Sequence, residues 1–463
     1  MSPSSHKPLI LACGLPLSGH IMPVLSLVHG LTDDGYEATV VTGRAFEQKV
    51  RDVGADFVPL EGNADFDDHT LDDLVPGRKD MAPSFDRTVQ DVEHMMVATL
   101  PEQFAAIQRA FKKLSASGRP VVLVSEVLFF GAHPISLGAP GFKPAGWICL
   151  GVLPLLIRSD HTLGLDNDRS PEAHAKKLAM NHALEHQIFV KATAKHKEIC
   201  RELGCTEDPK FIWEHSYIAA DKFLQLCPPS LEFSRDHLPS NFKFAGSTPK
   251  HRTQFTPPSW WGDVLSAKRV IMVTQGTFAV SYKHLIVPTL EALKDEPDTL
   301  TVAILGRRGA KLPDDVVVPE NARVIDYFNY DALLPHVDAL VYNGGYGGLQ
   351  HSLSHSVPVV IAGDSEDKPM VASRAEAAGV AIDLKTGLPT VEQIKEAVDS
   401  IIGNPKFHEA SKKVQMELES HNSLKILEES IEEIASHDFG LLTKSDEETE
   451  DIPVKGPALA VSS

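Results

Sequence analysis

A glycine-rich turn and a histidine are the features of this 463-residue chain best suited to chemistry. The turn reads NGGYGG at 343–348, after an apolar run and before a helical pattern. Because glycine has no Cβ, backbone N–H groups in such a turn can approach an anion closely, and the following helix directs the positive end of its dipole there. Turns of this kind recurrently hold diphosphate in α/β proteins. Spacing alone leaves open the alternative of a turn that only packs tightly.

His20 follows the first apolar run, Leu9–Cys13, at the start of a predicted helix. A neutral imidazole can remove a proton from a hydroxyl group near pH 7. In open parallel sheets, ligands bind at the carboxyl ends of the strands, and His20 follows that end of the first strand. A histidine at a helix start more often caps or packs, so position alone does not decide between a general base and a structural residue.

Apolar runs of strand length alternate with helical patterns along most of the chain. This alternation predicts an α/β protein with doubly wound parallel sheets. Proline and tryptophan residues between 239 and 262 interrupt the alternation and indicate a linker between two domains. We predict a first Rossmann-like domain at 1–240, a linker at 241–265, a second Rossmann-like domain at 266–437 and a disordered acidic tail at 438–463.

Composition and charge argue against several classes of protein, those that bind nucleic acid or membranes among them. The formal charge of −19 argues against nucleic acid or an anionic membrane as the main partner, because both would be repelled. No apolar run approaches the roughly 18 residues that a membrane-spanning helix needs. Five cysteines have neither metal-site spacing nor an even disulfide framework, which predicts reduced thiols in a cytoplasmic protein. The Asp-rich loop at 61–79, with Asp67, Asp68 and His69, matches no metal-ligand spacing and is expected to be mobile and solvated.

Segment 326–370, which contains the glycine-rich turn, resembles the donor-binding signature of family 1 glycosyltransferases, which use UDP-sugars. The pentapeptide GHIMP at 19–23 is similar to the GHxxP sequence that carries the catalytic base of this family. The resemblance implies the GT-B fold, in which two Rossmann-like domains face each other across a cleft, the acceptor on the first and the nucleotide sugar on the second. It also implies transfer of a hexose to a hydroxyl group with inversion, without a cofactor and without a metal ion. A final helix near 422–435 is expected to return to the first domain.

The resemblance assigns roles to individual residues. It makes His20 the general base, and it places Glu126 where the family has the carboxylate that orients this base. Tyr327 falls on the aromatic residue that stacks on the nucleobase, and Asn343 falls on the phosphate-binding histidine. Asn343 cannot become cationic, so the glycines of the turn are expected to hold more of the diphosphate.

Further donor contacts are implied in the same way. Asp367 and Lys368 fall on the Asp-Gln pair that contacts the hydroxyl groups of the sugar. Gln350 and His351 fall at the ribose-binding glutamate, which implies a ribose contact of different chemistry. The remaining predicted donor-binding residues are Ser18, Gly19, Gln275, Gly276, Thr277, Gly345, Gly347 and Gly348.

Within the family, the NGGYGG turn and the GDSEDKP loop resemble soluble fungal and bacterial members, in particular the yeast glucosyltransferases of sophorolipid synthesis. UDP-glucose is therefore the expected donor, and a long-chain hydroxy fatty acid is the expected acceptor. Phe129, Phe130 and Trp147 are either core residues or part of an apolar acceptor pocket. The alternatives are a phenolic or flavonoid acceptor, a sugar-nucleotide epimerase, and a protein that binds a nucleotide sugar or a lipid without catalysis.

Overall fold

A computed structural model of the chain describes residues 7–81, 84–157, 168, 170–233, 238–250, 255–276 and 281–436. Its strands form two parallel sheets, one in each half of the chain, as the alternation of apolar runs and helical patterns predicts. The first sheet contains β1 (Leu9–Cys13), β2 (Ala38–Thr42), β3 (Asp56–Pro59), β4 (Val121–Glu126), β5 (Gly146–Gly151), β6 (Lys222–Gln225) and β7 (Phe242–Phe244). The second sheet contains β8 (Arg269–Thr274), β9 (Thr299–Ile304), β10 (Ala322–Ile325), β11 (Ala339–Tyr342), β12 (Val359–Ile361) and β13 (Ala381–Asp383).

Helices flank both sheets, and in the described part of the chain none is both long and apolar enough to cross a bilayer. The helices of the first half are α1 (Ser18–Asp33), α2 (Glu47–Asp52), α3 (Leu71–Leu74), α4 (Phe85–Asp91), α5 (Leu100–Leu114), α6 (His133–Ser136), α7 (Pro171–Ala183), α8 (Val190–Glu202) and α9 (His215–Ala219). Those of the second half are α10 (Trp261–Ser266), α11 (Ile286–Leu293), α12 (Tyr330–Leu333), α13 (Tyr346–Leu353), α14 (Lys368–Ala377), α15 (Val391–Gly403), α16 (Pro405–Ser420) and α17 (Ser423–Ser436).

The first sheet is organised around β1, which lies between β2 and β4 in the order β3-β2-β1-β4-β5-β6-β7. Its central strands are buried along their whole length, which explains why they are continuous apolar runs in the sequence. β1 pairs with β4 in a register that puts Cys13 opposite Ser125. The carboxyl ends of these strands therefore lie side by side, one leading to His20 and the other carrying Glu126.

The second sheet repeats this arrangement in the order β10-β9-β8-β11-β12-β13. Here β11 lies between β8 and β12, and Tyr342 stands opposite Thr274. The glycine-rich turn after β11 is therefore the neighbour of the turn after β8, which contains Gln275 and Gly276. The anion-binding turn predicted from the sequence lies at the carboxyl edge of its sheet, where ligands of such sheets bind.

The first sheet extends beyond residue 240, where the sequence analysis ended the first domain. β7 pairs with β6, with Phe242 opposite Phe223, so the start of the predicted linker is a strand. α17 returns to the first domain, where Tyr36 Oη donates to Glu432 Oε1 at 2.7 Å. The acidic tail lies outside the described residues, and its disorder stays a prediction.

The chain crosses between the two domains twice, and the two crossings touch. Ser423 Oγ donates a hydrogen bond to the carbonyl oxygen of Ser247 at 2.7 Å. Beside it, Gly246 has a φ of +78°, and a Cβ on this residue would lie 2.4 Å from the Cβ of His421. The linker that precedes α10 and the segment that precedes α17 therefore run together at one place.

A buried ion pair fixes α14 to the first half of the chain. Arg374 Nε lies 2.8 Å from Glu232 Oε2, and both side chains are only 1% exposed. The other carboxylate oxygen of Glu232 accepts from the backbone N–H of Leu155 at 2.8 Å. The guanidinium of Arg374 also lies over the ring of Phe233, 5.1 Å from its centroid. Because α14 begins directly after Asp367, this contact positions a predicted sugar-binding residue.

Candidate active site

His20 and Glu126 form a hydrogen-bonded pair at the carboxyl edge of the first sheet. His20 Nδ1 lies 3.3 Å from Glu126 Oε2, and Glu126 is fully buried. The carboxylate is fixed by two backbone N–H groups, those of Leu15 at 3.3 Å and Leu128 at 2.8 Å. No residue in the described part of the chain hydrogen-bonds Nε2 of His20. The ring is therefore oriented through Nδ1, and Nε2 is the nitrogen left to accept a proton.

Opposing effects set the pKa of His20. Burial is the largest single effect and acts to lower it, but the carboxylates of Glu126, Asp367 and Asp68 together outweigh burial, and Glu126 contributes most of the three. The pKa of His20 is therefore raised above its usual value. Asp367 belongs to the second domain, so the two halves of the predicted site interact electrostatically.

Asp68 caps the helix that carries His20. The backbone N–H of Ser18 lies 3.1 Å from Asp68 Oδ1, and the Ser18 hydroxyl donates to the same carboxylate. Asp67 orders the loop by accepting from the N–H groups of His69 at 2.7 Å and Thr70 at 2.8 Å. The expectation of a solvated loop is therefore wrong for Asp68, because a carboxylate is attracted to the free N–H groups of a helix start.

The glycines of the turn between β11 and α13 have different structural roles. Gly344 has a φ of +90°, and a Cβ there would lie 2.9 Å from Ile361 Cγ2, so the backbone itself requires glycine. Cβ atoms at Gly345 and Gly347 would meet nothing within 4 Å. Gly348 packs closely on the aromatic ring that ends β11. Gly345 and Gly347 therefore face open space at the start of α13, where a ligand can approach the backbone.

Asn343 and Gln275 hold the two strand-end turns together. Asn343 Nδ2 donates to the carbonyl oxygen of Gln275 at 2.7 Å. The Gln275 side chain, 2% exposed, donates to the carbonyl of Ser281 and accepts from the N–H of Ile286, both at 3.1 Å. These bonds give both side chains a structural role, and their contact with a donor stays a prediction. Thr277 lies outside the described residues.

Asp367, directly before α14, and Lys368, the first residue of α14, face the first domain. Burial raises the pKa of Asp367 to about 6, although His20 acts in the opposite direction. Burial, with Arg87 nearby, lowers the pKa of Lys368 to about 8. Lys368 Nζ bonds the carboxylate of Glu366, which also pairs with Arg87 of α4 at 3.0 Å. The GDSEDKP loop at 363–369 is thus tied to the first domain next to the predicted sugar-binding residues.

A cavity of about 460 Å³ lies between α1 of the first domain and α13 of the second. Among the predicted donor-binding residues, Gly19, Gly347, Gln350 and His351 line it. Gln350 is 8% exposed, and its Oε1 has no hydrogen-bond partner in the described part of the chain. A buried amide oxygen without a partner favours a ligand that donates a hydrogen bond there.

Asp331 and His355 are site residues that the sequence analysis missed. Asp331 Oδ1 accepts from His351 Nε2 at 2.7 Å and lies 3.1 Å from His355 Nε2. These hydrogen bonds hold the pKa of Asp331 well below its usual range. The spacing of the two histidines, four residues apart at a helix, was a visible signal, whereas Asp331 is brought to them only by the fold.

Tyr327 is 49% exposed, and the guanidinium of Arg308 lies over its ring, 4.6 Å from the centroid. This exposed ring is suited to stacking, and nucleobase binding stays a prediction. Phe129, Phe130 and Trp147 are all buried in the core of the first domain. Trp147 Nε1 is occupied by a hydrogen bond to Ser125 Oγ at 2.9 Å. Their burial favours the core interpretation, and none of the three is among the described residues that line the cavity.

Comparisons with known proteins agree with this geometry. Residues 298–433 match the family model described as "Erythromycin biosynthesis protein CIII-like, C-terminal domain". The chain is 48% identical to UDP-glucosyltransferase B1 of Starmerella bombicola over 436 residues, 93% of this chain and 99% of that protein. It is 35% identical to UDP-glucosyltransferase 1 of Beauveria bassiana over 469 residues, 95% of this chain and 100% of that protein.

Solved structures share the fold at low sequence identity. The glycotransferase of kitacinnamycin matches with a TM-score of 0.68 at 19% identity, covering 93% of this chain and 99% of that one. The calicheamicin glycosyltransferase CalG4 matches with a TM-score of 0.67 at 17% identity, covering 94% and 100%. The arrangement of two facing parallel-sheet domains is therefore that of known glycosyltransferase structures.

Proposed function

This chain belongs to family 1 of the GT-B glycosyltransferases, and from that premise we propose that it transfers glucose from UDP-glucose to a hydroxyl group of an apolar acceptor, with inversion. The observation that carries the proposal is the His20–Glu126 pair, which faces Asp367 across the two halves of the chain. The relatives named UDP-glucosyltransferases support glucose as the transferred sugar.

In the proposed mechanism, His20 Nε2 removes the proton of the acceptor hydroxyl as its oxygen attacks the anomeric carbon. The bond from that carbon to the diphosphate breaks, and UDP leaves with the electron pair. Glu126 keeps the ring oriented and stabilises the imidazolium that forms. A positioned general base is typically worth about 10²- to 10⁴-fold in rate.

The donor would be held by the second domain. The open backbone at Gly345 and Gly347, together with the start of α13, is suited to the negative charge that develops on the departing diphosphate. Asp367 would accept hydrogen bonds from the hydroxyl groups of the glucose. We propose that no metal ion is needed for this step, and we expect full activity in the presence of EDTA, measured as UDP release.

The base is tested with His20→Ala beside His408→Ala, an exposed histidine of α16. We expect His20→Ala to lose about 10²- to 10⁴-fold in turnover while still binding UDP-glucose, and the control to keep wild-type turnover. Unchanged turnover in His20→Ala would contradict the mechanism. Wild-type protein that binds UDP-glucose but transfers it to no hydroxyl compound would instead favour the non-catalytic binding protein.

For the acceptor, we propose a long-chain hydroxy fatty acid, on the strength of the motifs that this chain shares with yeast glycolipid-forming glucosyltransferases. The test is a chain-length series of hydroxy fatty acids against a panel of flavonols, with glycoside products identified by mass. We expect turnover to rise with chain length and to exceed that of the flavonols. Equal turnover on both panels would contradict this assignment.

A further inference from the structure

Two histidines and a carboxylate form a compact cluster beside the cavity. Asp331 comes from α12, His351 from α13, and His355 from the turn directly after α13. One potential ligand atom of each residue lies within 4.8 Å of the other two. The shortest separations are 2.7 Å from His351 Nε2 and 3.1 Å from His355 Nε2 to Asp331 Oδ1. All three side chains are partly buried, which leaves room for an ion to reach them.

The donor set and its spacing suit a transition metal ion. Imidazole nitrogen and carboxylate oxygen bind Zn²⁺ at about 2.0 to 2.2 Å, so tetrahedral ligand atoms lie roughly 3.3 Å apart. The 3.1 Å separation from His355 is close to that spacing, and the 2.7 Å separation from His351 is a hydrogen-bond distance that a small side-chain shift would widen to it. The four-residue spacing of His351 and His355 brings both rings to one side of the helix end. Binding requires that the ion replace the Nε2–H hydrogen bonds to Asp331 and that each neutral imidazole carry its proton on Nδ1, which frees the Nε2 lone pair for the metal.

We propose that Asp331, His351 and His355 bind a divalent transition metal ion, with Zn²⁺ as the representative, and that the bound ion competes with the nucleotide sugar. Competition rests on the proposed function. Asp331 and His351 line the cavity between α1 and α13, where the donor is expected. A bound ion takes up the imidazole and carboxylate lone pairs that would otherwise bond the ribose hydroxyls. The ion is therefore inhibitory and is not a participant in glucose transfer.

The binding arm needs no enzyme activity. The purified full chain is treated with a chelator, dialysed, and titrated with ZnCl₂ by calorimetry, and Co²⁺ is used as a spectroscopic substitute. We expect saturable binding that His355→Asn weakens at least about tenfold, because even the loss of an outer-shell partner costs 10- to 100-fold. His408→Asn, on the exposed surface of α16, should bind as the wild type does.

A second variant helps to distinguish loss of metal binding from misfolding of the first variant. Asp331→Asn keeps a hydrogen-bond acceptor between the two rings but is a poorer metal ligand, so it should lose affinity as His355→Asn does. Thermal unfolding of both variants without metal shows that they are folded. Zn²⁺ affinity in the folded variants equal to that of the wild type would overturn the site, as would the lack of saturable binding in the wild type.

The kinetic arm tests competition. In the wild type, Zn²⁺ should raise KM for UDP-glucose without changing kcat, and this effect should be at least about tenfold weaker in His355→Asn. Zn²⁺ binding without a change in KM would overturn competition. Zn²⁺ binding to a chain that proves to have no transferase activity would refute the proposed function while leaving the metal site intact.

Discussion

The imidazole of His20 is subject to burial, which lowers its pKa, and to the Glu126 carboxylate, which raises it. Because Glu126 and the neighbouring carboxylates together outweigh burial, the ring is a stronger base than a buried histidine without a partner. Asp367, from the other domain, adds to the same effect. The basicity of the proposed catalytic residue therefore depends on residues from both halves of the chain.

Glu126→Gln is expected to lower the pKa of His20 and to slow the reaction. His20 acts when neutral, so kcat/KM falls as the pH drops through its pKa. Without the carboxylate, burial lowers that pKa, and the acidic limb of the profile moves to lower pH. The plateau rate falls by up to about 10⁴-fold because the base is weaker and poorly oriented. A pH profile of kcat/KM measures both effects, and an acidic limb that stays in place would contradict them.

Asp367→Asn is expected to change donor affinity and its pH dependence. The pKa of Asp367 is raised to about 6, so the carboxylate is ionised at pH 7 and becomes neutral below pH 6. In the wild type, KM for UDP-glucose should therefore rise by about tenfold between pH 7 and pH 5. In Asp367→Asn, KM should be high at pH 7 and nearly independent of pH. Asp364→Asn, on the same loop but exposed, is the matched control.

Sequence reasoning located some site residues and not others, for a physical reason. Glu126 was identified because the family resemblance places the carboxylate that orients the base at the end of a predicted strand. Asp68 and Asp331 were not identified as site residues, because the resemblance assigns them no role. Their partners, Ser18 for Asp68 and His351 for Asp331, lie 50 and 20 residues away in the sequence. No local pattern marks a carboxylate whose partner lies in a distant helix.

At the scale of elements, the turn between β11 and α13 separates two uses of glycine. Glycine is required at 344 by the backbone conformation, since φ is positive and the position is closely packed. Gly347 leaves space for a ligand, since a Cβ there would meet no protein atom within 4 Å. From the sequence these glycines look alike, and only the structure distinguishes them.

Substitution of these two glycines by alanine should have opposite effects. Gly347→Ala lies in a helix and should leave stability unchanged or raise it by up to about 1 kcal/mol, while raising KM for UDP-glucose. Gly344→Ala should lower the free energy of unfolding by about 1 to 3 kcal/mol, because φ is +90° and the new Cβ would clash with the side chain of Ile361. Urea unfolding and donor kinetics of both variants measure this. Loss of stability in Gly347→Ala with normal KM would contradict the assignment.

The strands themselves were largely predictable, because buried parallel strands are continuous apolar runs such as Leu9–Cys13. β7 was not, because Phe242–Phe244 has two half-buried residues and one exposed residue in a proline-rich context. A three-residue strand at the edge of a sheet carries too little apolar pattern to be recognised.

At the scale of the whole molecule, the buried Arg374–Glu232 pair connects α14 to the first half of the chain. Glu232→Gln keeps an acceptor for the N–H of Leu155 but leaves the guanidinium buried without its counter-charge. We expect the free energy of unfolding to fall by about 3 to 5 kcal/mol, as measured by urea unfolding. Adding Arg374→Met to this variant should restore much of the loss, because the unpaired charge is then removed. A double variant no more stable than Glu232→Gln would refute this explanation.

The two crossings between the domains meet where Ser423 bonds the carbonyl of Ser247. Two adjacent connections form a hinge. They permit the domains to rotate about the line that joins the connections, and they resist sliding or twisting of one domain against the other. Any opening of the cleft is therefore expected to be a rotation about this line, and the parts of each domain farthest from the line are expected to move the most. The side on which substrates enter and products leave is then determined by the position of the two interdomain connections, as much as by the residues that line the cleft.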